Sequence, residues 1–138
     1  MKKNILISAL RWIAAPIAYL VVFVIAYYLG KIIFNWIMAD SALLFFKNPQ
    51  AQKAIESMCE LVSHGIGTIG AMMAVSKVAP SHKATAAKVI GIATASAITS
   101  LYLIMIARNI ELELTSIAGW VGKVSGVIAG WWIVKDFE

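Results

Sequence analysis

Residues 12–30 read WIAAPIAYLVVFVIAYYLG, nineteen positions without a formal charge. A helix needs about 20 mostly apolar residues to cross the hydrocarbon core of a bilayer, so this stretch takes the chain out of the water-soluble class. A second uncharged run of equal length, VIGIATASAITSLYLIMIA, covers residues 89–107. Two further apolar stretches carry one ionisable residue apiece: 61–76 with His64, and 117–134 with Lys123. The pattern predicts an all-α integral membrane protein, a single domain of four transmembrane helices in a compact bundle. The spans are expected over about 10–33, 61–79, 84–108 and 116–134, with an interfacial or extramembrane connector over 34–60.

Composition agrees. Hydrophobic residues make up 61% of the 138-residue chain and charged ones 14%, so the apolar excess has to face lipid or partner subunits. The net charge of +5 comes from basic residues that flank the spans. No basic–aromatic groove can be drawn from them, which argues against nucleic acid as a partner. Anionic headgroups are the expected counter-charge, at roughly 1 kcal/mol per Lys or Arg near the surface. Cys59, the single cysteine, excludes an internal disulfide, a cysteine-rich metal site and a CxxC redox pair. Met1-Lys2-Lys3 before an apolar run has the outline of a secretory signal. The run is too long, Arg11 interrupts its start, and no small-x-small site follows, so it is read as a retained first span.

Local signals set the element boundaries. Pro16 falls within the first turns if the first helix starts near Leu10, where a missing N–H costs least. The connector is unusually greasy, with Trp36, Ile37, Met38, Leu43, Leu44, Phe45 and Phe46 around Asp40. It is expected to lie in the interface or to continue the helix and bend back. Asn48-Pro49 restarts a helix, Asn as N-cap and Pro at the first helical position. The polar residues Gln52, Lys53 and Glu56 then hold its first turns outside the hydrocarbon. Ala79-Pro80 stops that helix, Asn109 caps the C-terminus of the third, and Thr115 or Ser116 caps the fourth.

Counting Lys and Arg gives an orientation. Lys2, Lys3, Arg11, Lys77, Lys83, Lys88 and Lys135 fall on one side, against Lys31, Lys47, Lys53 and Arg108 on the other. The second side also has Asp40, Glu56, Glu60, Glu111 and Glu113. Both termini are therefore expected in the cytoplasm, and the protein in a bacterial inner membrane. Lys77, Lys83 and Lys88 are expected to grip anionic headgroups on the cytoplasmic side.

Two kinds of surface carry the functional expectation. Small residues recur at spacing four in Ala118, Gly122, Gly126 and Gly130. Similar stripes run through Ser63, Gly67 and Ala71, and through Ala87, Gly91, Ala95 and Thr99. Such stripes let backbones approach closely in lipid, so helices two to four are expected to pack together. The bulky first span, without a stripe, is expected to face lipid or a partner. The other surface is polar. Lys123 lies about six residues inside its span, roughly 9 Å deep. Inserting it costs about 2.5–3.5 kcal/mol, while the span's Ile and Val residues return only about 2–4 kcal/mol. It therefore needs to snorkel outward or to pair with Glu60, Glu111 or Glu113. His64, four residues after Glu60, shares its face. The hydroxyls of Thr94, Ser96, Thr99 and Ser100 are expected to bond back to their own helix or across to a neighbour.

No nucleophile, acid–base pair or cofactor motif stands out. The expectation is a non-enzymatic membrane protein without cofactor or metal, acting as an accessory or assembly subunit or as a homo-oligomer. The alternative is an oligomeric channel or small carrier with an outer vestibule around Lys123 and His64.

Overall fold

Both ends of the second helix and the C-terminal end of the third have a local cause, and the longest helix arises because such a cause is missing. A computed structural model describes residues 2–45 and 48–137, with side chains over 3–39 and 48–136. It contains α1 (Lys2–Phe45), α2 (Pro49–Val78), α3 (Lys83–Ala107), α4 (Leu114–Val134) and a closing 3-10 turn, Lys135–Phe137. The described residues form no strand. All four helices are long and apolar enough to cross a bilayer, and the chain is a multi-pass membrane protein.

No residue between Phe34 and Phe45 breaks a helix, so α1 continues as one helix well past residue 33, where the first span is expected to end. Its 44 residues reach about 66 Å at 1.5 Å per residue, roughly twice the hydrocarbon thickness. It also begins earlier than expected, which places Pro16 in the helix interior rather than its first turn. There the ring leaves the Trp12 carbonyl without its usual amide partner. The side chains of Lys2, Asp40, Leu43, Leu44 and Phe45, and the residues Phe46 and Lys47, lie outside the described residues.

The remaining boundaries follow the sequence closely. Asn48 caps α2, its side chain accepting from the amides of Gln50 at 3.1 Å and Ala51 at 3.5 Å. Pro80 forces the preceding Ala79 out of helical geometry (ψ 133°), which ends α2. Asn109 takes the left-handed conformation (φ 58°) that a C-terminal helix cap requires. The Ile110 amide reaches back to the Met105 carbonyl at 2.9 Å. The cap of α4 differs from expectation: Glu113 holds that position, and Thr115 and Ser116 fall inside the helix.

Successive helices run antiparallel, with α2 at the centre. One face of α2, through Leu61, Gly65, Thr68 and Met72, receives Gly122, Gly126 and Gly130 of α4. A second face receives α1: Ser63 meets Gly30, Gly67 meets Phe23, and Gly70 meets Val22 and Ala26. The stripe on α2 therefore serves α1, and the first helix has an extensive seam with α2 despite its bulk. Helix α3 is the peripheral element. Its buried residues, Ala84, Ala86, Ala87 and Gly91, all lie near its start.

The α2–α4 seam is the closest. A Cβ at Gly122 would fall on the Leu61 carbonyl, and one at Gly126 would lie 2.8 Å from the Gly65 carbonyl oxygen. Both neighbours are backbone and cannot swing aside. Gly65, by contrast, has room for a methyl group, its nearest foreign atom lying 3.5 Å away. We expect Gly122→Ala and Gly126→Ala each to cost about 1–3 kcal/mol through overpacking, and Gly65→Ala to cost less. Thermal unfolding in detergent measures the difference.

Candidate functional site: a polar cluster at the end of the α1–α2 seam

Four turns of α1 place Ala15, Tyr19, Phe23, Tyr27 and Lys31 at spacing four on one side of the helix. Tyr19, Phe23 and Tyr27 stack in sequence, with centroids 6.4 and 6.0 Å apart. His64 of α2 stands edge-on to Tyr27 at 4.8 Å and tilted to Phe23 at 5.9 Å. This aromatic column carries two lysines, one at its end and one against its middle.

At the end, Glu60 is the hub. The Lys31 ammonium approaches its carboxylate to 2.5 Å. The Tyr27 hydroxyl donates to the same group at 2.9 Å, and Lys31 also lies over the Tyr27 ring at 5.1 Å. His64 Nδ1 lies 2.9 Å from the Glu60 backbone carbonyl and 3.3 Å from its carboxylate. The i, i+4 relation of Glu60 and His64 was legible in the sequence. Lys31 and Tyr27 were not assigned to this cluster there. Their signal was the spacing-four series on α1, hidden because its aromatic members, Tyr19, Phe23 and Tyr27, fit a lipid-facing helix equally well.

Lys123 sits elsewhere. It is 5% exposed, on the same inward face of α4 as its glycines. Its ammonium lies 4.2 Å from the Phe23 ring centroid and 5.8 Å from that of Tyr19. Among the described residues no carboxylate lies within ion-pair distance of it. Glu60 is engaged by Lys31, while Glu111 and Glu113 are exposed in the α3–α4 connection. Desolvated cation–π contact contributes about 2 kcal/mol. That offsets most of the roughly 2.5–3.5 kcal/mol insertion cost. Aromatic faces thus do what a carboxylate or an outward reach was expected to do.

Three open cavities surround this end. One of about 260 Å³ is lined by Glu60, His64, Tyr102, Thr115, Ser116 and Gly119. Another, of about 410 Å³, has Lys31, Asn35, Cys59 and Glu60 in its wall. A third, of about 370 Å³, brings Lys53 and Glu56 opposite Glu111 and Glu113. The Glu60 carboxylate stands between the first two, with an ammonium and a phenol already on its oxygens. So engaged, it braces α1 against α2, while the imidazole edge of His64 remains on the first cavity.

The other sequence-derived positions distribute as follows. Gly122, Gly126 and Gly130 lie in the α2–α4 seam, Gly67 in the α1–α2 seam, and Ala71 in the buried core. Gly91 meets Met72 and Val127. Ala118 is half-buried, and the neighbouring Gly119 takes the close approach, against the His64 ring. Ala95 is half-buried between α3 and α4. Of the α3 hydroxyls, Thr94 shares its proton between the Gly91 carbonyl and the Tyr19 hydroxyl, and Thr99 donates to the Ala95 carbonyl at 2.8 Å. At the opposite end of the bundle, Arg11 donates to the carbonyls of Val78 and Lys77. Lys77 and Lys88 are exposed there, and Lys83 is half-buried.

Comparison with protein-family models, with curated proteins and with solved structures found no match to this chain.

The two lysines give opposite expectations. A double-mutant cycle on Lys31→Met and Glu60→Gln should show a coupling of about 0.5 kcal/mol or more, as groups in one hydrogen-bonded network do. The cycle on Lys123→Met and Glu60→Gln should be additive to within about 0.5 kcal/mol. Lys123→Met alone should raise the unfolding temperature, since it removes a desolvated charge and keeps the side-chain volume.

Proposed function

We propose that this protein is a small bundle of a bacterial inner membrane, both termini in the cytoplasm, that works by binding other membrane components. It would act as an accessory or assembly subunit, or as a homo-oligomer, and not as an enzyme. The observation that carries this reading is where polar and apolar groups are spent. Tyr27, Lys31, Glu60 and His64 are satisfied by one another within the bundle. By contrast, only 11% of the apolar window of α1 and 6% of that of α3 is buried inside the chain. Such surfaces are satisfied by lipid or by other transmembrane helices.

The orientation is supported by the grouping of basic residues. The α1–α2 contact at Arg11 and the α3–α4 contact at Lys88 gather Lys3, Lys77, Lys83 and Lys135 toward one end. An excess of Lys and Arg there matches the cytoplasmic side of a multi-pass protein, next to anionic headgroups.

A second reading rests on Lys123, whose ammonium has aromatic but no carboxylate neighbours among the described residues. Several copies arranged around that charge and His64 would form a channel or small carrier with an anion-attracting vestibule. Purification in mild detergent, followed by the mass of the complex, tests the accessory reading, and anion flux separates it from transport, for which an oligomeric particle is also expected. The accessory reading expects a particle heavier than the 15.0 kDa chain, with self or another membrane protein. A monomer with no companion chain argues against it. Loss of small-anion flux from liposomes in Lys123→Ala, at unchanged particle mass, would establish the transport reading in its place.

A further inference from the structure

The seam between α3 and α4 is closed over one half of its length and open over the other. Toward the Glu111 end it is zipped by two hydrogen bonds. Tyr102 donates to the Ser116 carbonyl at 3.2 Å, and the Trp120 indole N–H donates to the Thr99 hydroxyl at 2.7 Å. Beyond Thr99 the helices leave a groove of about 340 Å³ that continues to Lys88 and Trp131. Its floor is small and apolar (Ala95, Val124 and Val127), and Ile92 and Ile128 form its sides. At its open end the Lys88 ammonium lies over the Trp131 ring at 4.4 Å.

Length and charge both identify an occupant. From Lys88 to Thr99 the groove follows α3 for about 17 Å at the helical rise. One leaflet of hydrocarbon is roughly 15 Å deep, half of the bilayer core. An acyl chain entering beside Lys88 would therefore end against the Trp120–Thr99 hydrogen bond. The mouth of the groove is cationic: Lys88 lies within it, and Lys83 and Lys135 belong to the same end of the bundle. Contact with the Trp131 face leaves the Lys88 N–H donors that point away from the ring available to oxygen acceptors, and it fixes the ammonium at the level where indole rings meet headgroups.

We propose that this groove is a binding site for one anionic phospholipid, its phosphate on Lys88 and one acyl chain between α3 and α4. The site deepens the headgroup preference proposed above, from a general attraction along a basic end to a single built position. Trp131 sets the depth of the headgroup, and the Trp120–Thr99 bond sets the length of chain that fits.

The test uses delipidated protein in detergent, titrated with an equimolar mixture of phosphatidylglycerol and phosphatidylcholine with identical acyl chains. Lipid adducts are counted by native mass spectrometry. The first bound lipid should be enriched about fivefold in the anionic species, the factor a single near-surface lysine contributes. Lys88→Gln should bring that ratio close to one. Ser96→Phe, which fills the groove, should reduce adducts of both lipids severalfold, and Lys53→Gln at the opposite end should change neither. Ser96 and Lys88 are exposed, so both substitutions leave the core intact, and Ile128→Trp narrows the same groove from α4 as a second filling variant. Wild-type lipid binding in both filling variants would overturn the site. Retained anionic enrichment in Lys88→Gln would overturn the assignment of the headgroup. Either failure leaves the particle mass in mild detergent, which tests the accessory reading, unaffected.

Discussion

The closeness of α4 to α2 is the constraint on which the rest of the bundle depends. In lipid no hydrophobic force drives one helix against another, so contact must come from packing at short range and from polar groups that find each other. Gly122 and Gly126 bring two backbones together over a face where any side chain would collide with a carbonyl. That approach has a second effect. It carries Lys123, on the same face as the glycines, inward to the aromatic column of α1. A bulkier α4 would hold the lysine away from Phe23 and leave its charge to find water. Packing and electrostatics are thus coupled at one helix face.

The two lysines illustrate how context divides similar groups. Lys31 lies where α1 meets the start of the membrane-embedded part of α2, a third exposed, and it pairs with a carboxylate. Lys123 is deeper and is received by π-faces. An ion pair at the deeper position would require a second desolvated charge, and such pairs return their desolvation cost only with further hydrogen bonds. Aromatic rings stabilise the cation without adding another charge. His64 touches both arrangements: it contacts Glu60 on one side and the column of Phe23 and Tyr27 on the other.

Much of the architecture was legible in the sequence because its signals are local. Long apolar runs gave the four helices, and Asn48-Pro49, Ala79-Pro80 and Asn109 gave boundaries whose capping geometry depends only on neighbouring residues. The glycines of α4 were legible as a packing face, one residue out at Ala118, because small residues at spacing four have few other uses in lipid. What the sequence concealed was partner choice. It gave no means of deciding that the stripe at Ser63 and Gly67 faces α1, since a groove lined by small residues accepts bulky knobs as readily as small ones. The same ambiguity concealed Lys31 as the partner of Glu60: the sequence offered Glu60, Glu111 and Glu113 to Lys123, and only the assembled bundle gives Glu60 to Lys31. The length of α1 was missed for a different reason. Apolar content past residue 33 suggested an interfacial segment or a continued helix that bends back, whereas the backbone needed a breaker to turn and has none before Phe45.

That unbroken α1 has a mechanical corollary. Transmembrane helices tilt by up to about 40° from the bilayer normal. Even at that inclination a 44-residue rod rises about 50 Å, more than the roughly 40–45 Å from one headgroup layer to the other. One continuous lever therefore reaches both aqueous compartments. Rocking the rod about its fulcrum on α2 would swing its two tips in opposite directions, which makes α1 a direct strut between whatever touches it on one side of the membrane and whatever touches it on the other.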